Sequence, residues 1–417
     1  MRRAHDPDKR PGGLNAAIAV FAAWTLSACA FWTIPFAMQG IRAAFKLTQT
    51  ETAWLVSITL AARFIGALIA GSAAELYGRK APFLVSVTLC GTMGAASAVA
   101  GSYSHLLLLR AGFGLGLGGV WVAGFALALE QLTEHTRGTV SGVLQGGWNW
   151  GYLLAAFANA IVGTTGDGSW RSLLSFGTLP LVAVPWILFH TSDSPFFVRP
   201  QQNRSLRATL APFSQLFKRR TAAVTIHTAT SMAALMALYY CVTTYYQAFV
   251  TAAGFKPLEF VIGLNAGAIG GGFIFGRLSS TRVGKRAAMT IAAAGVPLVL
   301  SLYLDSGRLT LIVGACSMGF FALGMWGVVP RYLAERFPEG VRAIGPGFAY
   351  HFGALLASPS PVAIGWLLDH RYALREVLTW TILVACGALV VIIWCGGETA
   401  GLEQPRVDFA HGPPRTQ

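Results

Sequence analysis

Long apolar stretches alternating with short polar ones dominate the chain. They run over 14–39, 53–74, 83–100, 106–129, 139–162 and 172–190, and again over 222–249, 259–276, 287–304, 309–330, 343–367 and 374–395. A helix needs roughly 20 predominantly apolar residues to cross a bilayer core about 30 Å thick. Inside that core a helix satisfies all of its own backbone hydrogen bonds. The pattern therefore predicts an all-α membrane protein with twelve transmembrane helices and both termini on one side.

The longest polar interval, 191–221, contains Pro195, Pro200 and Pro212 and the run Lys218-Arg219-Arg220. It divides the chain into an N-terminal six-helix bundle (1–190), a linker loop (191–221) and a C-terminal six-helix bundle with a short tail (222–417). The two halves repeat one another. Glu130 and Arg137 follow the fourth span, and Glu335 and Arg342 keep the same spacing after the tenth, 205 residues on. Gly78-Arg79-Lys80 after the second span matches Gly284-Lys285-Arg286 after the eighth, 206 residues on. A fixed offset between independent landmarks marks a duplication.

Composition supports the membrane assignment. Hydrophobic residues make up 54% of the chain and charged residues 12%, against about 25% charged in soluble proteins. The net charge of +14 would suit nucleic acid if it formed one basic face, but it is distributed by topology. Of the 31 Lys and Arg, 22 lie in the tails and the loops on their side, and 7 in the opposite loops. Positive loops stay inside, so both termini and the linker are expected to be cytoplasmic, in the cytoplasmic (inner) membrane. Lipid headgroups, not nucleic acid, are the expected partners of this charge. The six cysteines fall in or beside apolar spans without metal or redox spacing, as packing residues do.

Several segments carry a family resemblance. Gly71-Ser-Ala-Ala-Glu75-Leu-Tyr-Gly78-Arg79-Lys80 resembles the loop 2–3 signature of the major facilitator superfamily, and Leu109-Arg110-Ala-Gly-Phe-Gly114-Leu-Gly-Leu-Gly118 its span-4 pattern. Three stretches are similar to its sialate/lactate (carboxylate):proton symporter group: Thr59 to Ala67, Leu144 to Ala155, and Ala334 to Gly353. The resemblance implies two six-helix bundles rocking about a midplane site, with parallel halves as in other carriers of this type. It also implies a small organic anion as substrate and a proton as co-substrate. There are departures. Where that group carries acids in span 1, this chain has Ser27-Ala28-Cys29-Ala30; where it reads Tyr-Asn in span 11, this chain reads Tyr350-His351. Leu76 and Thr281 replace further charged positions of the loop signatures.

An ionisable group in mid-membrane costs about 2.5 kcal/mol or more and needs a partner or a role. All 17 carboxylates lie in loops, tails or span ends, the closest being Glu51, Glu75, Glu130, Glu259 and Glu335. Arg63 is the deepest fixed charge. Its counter-charge is either the carboxylate of a substrate, which the planar guanidinium grips with two bonds, or protein carbonyls and an inter-half carboxylate. His351 and His227 are the deep groups that titrate near neutrality, candidates for proton coupling or, held by a helix neighbour, for packing. Gln145, Asn149, Tyr240 and Tyr350 offer polar groups on aromatic walls, as small-ligand sites do. With Arg63 and His351 they form the candidate substrate site.

Gly78, Arg79, Glu130, Arg137, Arg286, Glu335 and Arg342 form a candidate cytoplasmic gate of salt bridges that hold the outward-facing state and break when the inner side opens; as plain loop charges they would be solvated. Arg110, Gly114 and Gly118 share one helix face, where small residues let helices approach. No catalytic constellation, metal-ligand cluster or cofactor motif is present in the sequence, so no enzyme activity is expected. The expectation is a monomeric transporter of a monocarboxylate or acidic sugar, by symport, uniport or exchange. The rival readings are an efflux pump for amphipathic compounds and a uniporter of neutral, sugar-like solutes.

Overall fold

The computed structural model describes residues 13–163, 169–195, 197, 213–219, 221–338, 341 and 344–396. Among them every regular element is helical. Twelve helical passages follow in order: α1 (Gly13–Phe45), α2 (Gln49–Tyr77), α3 (Lys80–Ser97), α4 (Tyr103–Glu130), α5 (Glu134–Val162), α6 (Ser169–His190), α7 (Ala222–Ala252), α8 (Leu258–Leu278), α9 (Gly284–Tyr303), α10 (Arg308–Leu333), α11 (Gly345–Asp369) and α12 (Leu374–Trp394). Ten are long and apolar enough to cross a membrane; α3 and α5 fall short of that mark and lie against α4 and α1. Of the linker expected over 191–221, only 191–195, 197, 213–219 and 221 are described.

The interruptions within passages have local causes. In α6 a 3-10 stretch, Phe176–Val182, surrounds Pro180, whose missing N–H and fixed ring disrupt a regular helix. In α11 the first helix stops at Ala357 and a second begins at Pro359, the helix-start position that suits proline. Pro359 and Pro361 thus break the passage in two. In α10 a π turn (Gly319–Leu323) and a 3-10 turn (Gly324–Gly327) follow Arg308–Met318, and the helix that then begins at Val329 runs past the apolar span to Arg336.

Two helix pairs meet backbone to backbone, and they meet alike. A Cβ placed on Gly66 would lie 1.9 Å from the Leu115 carbonyl oxygen, one on Gly114 2.4 Å from that of Thr59, and one on Gly118 2.1 Å from that of Arg63. These contacts clamp α2 to α4. In the second half, Gly271 would meet the Phe320 carbonyl oxygen at 2.0 Å, Gly319 that of Leu264 at 1.9 Å, and Gly324 the Gly271 Cα at 2.6 Å, clamping α8 to α10. The glycines correspond at the offset that relates the loop landmarks, so the duplication extends to backbone packing. Gly114 and Gly118 thus have the close-approach role expected of them.

The end of the bundle away from the Gly78-Arg79-Lys80 loop is closed between the halves. Asp369, the last residue of α11, accepts hydrogen bonds from the Gln49 amide (2.8 Å), the Thr50 amide (2.9 Å) and the Thr50 hydroxyl (2.5 Å). A carboxylate there meets both the orphan amides and the positive dipole end of α2. Nearby, Gly365 lies close enough that a Cβ would fall 2.7 Å from the Gln49 carbonyl oxygen. Across the same interface the Tyr152 hydroxyl donates to the Gln247 amide oxygen at 3.4 Å. Asp369→Asn keeps the shape and removes the charge. Amide hydrogen exchange at Gln49 and Thr50 is then expected to speed up about three- to tenfold, from the loss of roughly 1 kcal/mol of hydrogen bonding. Unchanged exchange would show that closure of this end does not depend on Asp369.

Candidate functional site

A cavity of about 610 Å³ opens between the halves at the end that carries the Gly78-Arg79-Lys80 loop. Glu75, Arg79 and Glu130 stand at its mouth, and Trp121, Gln145, Tyr350 and His351 line its deep part. The floor is a stack: the rings of Trp121 and Tyr350 lie 4.6 Å apart and 8° from parallel. Gln145 fixes both, accepting from Trp121 Nε1 at 3.2 Å and donating to the Tyr350 hydroxyl at 3.3 Å. Trp121 and Gln145 recur 205 residues later as Trp326 and Tyr350, so the bond between Gln145 and Tyr350 joins equivalent positions of the two halves.

Arg63 lies behind this floor, 1% exposed. Its guanidinium carbon is 4.9 Å from the centre of the Tyr350 ring, 5.4 Å from Trp24 and 5.5 Å from Trp148. Aromatic faces attract the cation, but they accept none of its directed N–H bonds. Among the described residues Nε and Nη2 of Arg63 have no hydrogen-bond partner. A buried guanidinium with open donors is poised for an anion that brings its own oxygens. Gly118 lies close against the Arg63 backbone, where a Cβ would fall 2.1 Å from its carbonyl oxygen.

His351 is also 1% exposed, its ring 5.2 Å from those of Trp121 and Tyr350. Neither ring nitrogen has a partner among the described residues. The other expected site residues lie beyond the cavity wall. Asn149 accepts from the Tyr239 hydroxyl at 3.4 Å. Tyr240 is 3% exposed, with its hydroxyl against Arg63. The cavity therefore meets Gln145, Tyr350 and His351 directly, while buried Arg63 and Tyr240 and half-buried Asn149 lie outside its lining. His227 is elsewhere, at the basic end of α7. Its Nε2 bonds the Ile392 carbonyl at 2.8 Å, and Arg336 donates to its Nδ1. A carbonyl can only accept and a guanidinium only donate, so both nitrogens are engaged in joining α7 to the ends of α10 and α12.

The Major Facilitator Superfamily model matches residues 20–350, most of the chain. The protein belongs to the major facilitator superfamily. Membership makes it a multi-pass membrane transporter and not an enzyme. It is 28% identical over 404 residues to a probable 4-methylmuconolactone transporter of Cupriavidus pinatubonensis, covering 95% of this chain and 93% of that one. It is 25% identical over 410 residues to the niacin transporter NiaP of Acinetobacter baylyi, covering 91% and 92%. Its fold matches that of the xylose transporter XylE from E. coli in an inward open conformation, with a TM-score of 0.73 at 16% identity over 94% of this chain and 98% of that one.

In this major facilitator chain the charged residues at the cavity mouth pair within each half. Arg79 contacts Glu130 at 3.3 Å and Glu75 at 2.8 Å. Gly78, with φ of 88°, lets Asp193 cap the following backbone, accepting from the Arg79 amide at 2.7 Å. Three placements correct the expected gate. Lys285, not Arg286, pairs with Glu335, which also holds Arg331 at 2.7 Å; Arg286 donates to the Gly396 carbonyl and lies over Trp394. Arg137 donates to the Leu129 carbonyl at 3.0 Å and to that of Leu132 at 3.4 Å. The Arg79–Glu130 and Lys285–Glu335 pairs are intact while the cavity is open at this end, because both partners of each belong to one half. Arg342 lies outside the described residues. Burial raises the Glu335 carboxyl, but hydrogen bonds from Lys285 and Arg331 outweigh it and hold the group below its ordinary range.

Aromatic walls are as expected, but Trp24 and Trp121 were not among the residues singled out in the sequence. Both sit in mid-span, away from the interfaces where tryptophan usually anchors a membrane helix, and that position was the available signal.

Proposed function

We propose that this protein carries small cyclic or aromatic monocarboxylates across the cytoplasmic membrane by alternating access. The observation that supports it most strongly is Arg63: a buried guanidinium with two nitrogens unpartnered among the described residues, in a chain with no carboxylate at membrane depth. The Trp121–Tyr350 stack and the surrounding indoles suit a flat ring, as pocket walls of this kind do. The relatives named for 4-methylmuconolactone and niacin transport agree with that class. A pump for cationic amphipaths would gain nothing from an unpaired guanidinium beside its pocket.

On this reading the basic end faces the cytoplasm, so the cavity opens inward and Asp369 closes the outer end. Bundles 1–190 and 222–417 rock about the site, joined by the linker 191–221, and a single chain suffices. The mouth pairs Arg79–Glu130 and Lys285–Glu335 brace each half during that motion. A driving proton would have His351 or the substrate's own carboxylate as its carrier, because span 1 lacks the acids of similar symporters.

Counterflow in proteoliposomes with radiolabelled benzoate, nicotinate, lactate and sialate tests the reading, repeated under an inside-alkaline gradient. Saturable exchange of the ring acids is expected. Uphill accumulation identifies proton symport, equilibration alone a facilitative carrier, and no exchange of any acid overturns the proposal.

A further inference from the structure

His351 is the deep polar group of the cavity that the protein leaves unused. Gln145 and Tyr350 satisfy one another, and Trp121 donates to Gln145. The mouth charges Arg79, Glu75 and Glu130 are paired. His351 lines the same cavity with both ring nitrogens unpartnered among the described residues, though it is 1% exposed. Leaving buried polar atoms unsatisfied is costly, and native structures avoid it except where something else completes the bonds.

The ring is confined by two aromatic neighbours, with Trp121 and Tyr350 each 5.2 Å from its centre. The Arg63 guanidinium lies 4.9 Å from the centre of that same Tyr350 ring. Both polar groups therefore border the Tyr350 ring, one from each half. A neutral imidazole offers one donor and one acceptor, so it can pair with a hydroxyl, a ring nitrogen or a carbonyl. A carboxylate held by Arg63 leaves that pairing free for the far side of the ligand.

Building on the carboxylate reading of Arg63, we propose that His351 recognises a second polar group on the substrate, so that the preferred cargo is a ring monocarboxylate bearing a further nitrogen or oxygen. Recognition then takes place from both halves: Arg63 on α2 holds the carboxylate and His351 on α11 the opposite pole. A ligand satisfying both would favour closure of the halves around it more than a ligand satisfying one.

The experiment compares binding of benzoate with that of nicotinate, 3-hydroxybenzoate and 4-hydroxybenzoate to the purified full chain, in the wild type and in His351→Leu and His351→Gln. These acids share a carboxylate and a flat ring and differ in the second polar group. In the wild type at least one substituted acid is expected to bind about tenfold or more tighter than benzoate, the effect of roughly one hydrogen bond made in a buried site. His351→Leu is expected to bring that ratio close to one, and His351→Gln, which keeps a donor and an acceptor, to restore part of it. Thermal midpoints verify that each variant is folded. Because the readout is a ratio between ligands on one protein, a general loss of affinity does not imitate the result. Equal binding of all four acids by the wild type, or a preference that survives in His351→Leu, overturns the role of His351 while the carboxylate reading stands. Failure of all four to bind overturns both.

Discussion

Arg63→Gln is expected to weaken binding of ring monocarboxylates about 100-fold while leaving the protein at least as stable as the wild type. A carboxylate docking on the guanidinium makes charge-assisted, two-pronged hydrogen bonds, worth roughly 3 kcal/mol when the alternative is an unpaired buried oxygen; each 1.4 kcal/mol is about a factor of ten in affinity. Arg63→Lys keeps the charge but loses the planar fork, and a loss near tenfold is expected. The stability half of the prediction separates a binding role from a structural one. If Arg63 held helices together through protein carbonyls, its removal would lower the melting temperature. Nε and Nη2 bond to nothing among the described residues, and a buried charge with open donors is a cost of folding. Replacing it with a neutral side chain should relieve that cost, partly offset by lost attraction to Trp24, Trp148 and Tyr350. Ligand titration and thermal unfolding of the detergent-purified protein supply the two readings. Unchanged affinity in a folded variant would remove Arg63 from the binding site, and a large drop in melting temperature would recast it as a structural residue.

The contrast between Arg63 and the gate shows which features a sequence like this exposes. Apolar stretches of membrane length register directly in the chain, and α1 to α12 fall on the stretches read from it. The site's central charge was legible for the same reason: a lone Arg in an apolar run needs no structure to stand out. What a sequence does not carry is the direction of a side chain at a helix end. Lys285 and Arg286 are adjacent on α9 and point about 100° apart; one meets Glu335 and the other reaches the Gly396 carbonyl. The equivalent Arg79 and Lys80 divide the work in the same way, with Arg79 on Glu130 and Lys80 on the Leu188 and Thr191 carbonyls. The duplicated motif keeps the role of each position, the residue after the glycine meeting the carboxylate and the next one a carbonyl, while Lys and Arg change places. Tyr240 and Asn149 lie outside the cavity lining for a related reason: mid-span depth can be counted along a helix, but which face meets the cavity depends on how the two halves are set. The aromatic walls required both kinds of information, since Trp121 is polar only at one atom and its stacking partner Tyr350 lies in the other half.

Gly118→Ala is expected to damage the site from outside it, lowering both stability and ligand affinity although Gly118 meets no ligand. A Cβ at this position would lie 2.1 Å from the Arg63 carbonyl oxygen and 2.6 Å from the Ala67 amide nitrogen. Those atoms are backbone, so no rotamer change can make room, and α2 must move away from α4. Overpacking of this kind costs about 1–3 kcal/mol, and here the displaced segment is the one that carries Arg63. A shift of α2 by even part of an ångström changes where the guanidinium stands relative to Trp24, Trp148 and Tyr350, and affinity for a ring acid should fall together with the melting temperature. Gly142→Ala on α5 provides the contrast: its Cβ would meet nothing within 4 Å, and alanine is favoured over glycine in a helix by roughly 0.5–1 kcal/mol. That variant should melt at or slightly above the wild-type temperature and bind normally. Should Gly118→Ala bind and melt like Gly142→Ala, the α2–α4 clamp would not set the position of Arg63, and the depth of the guanidinium would have to come from the aromatic cage alone.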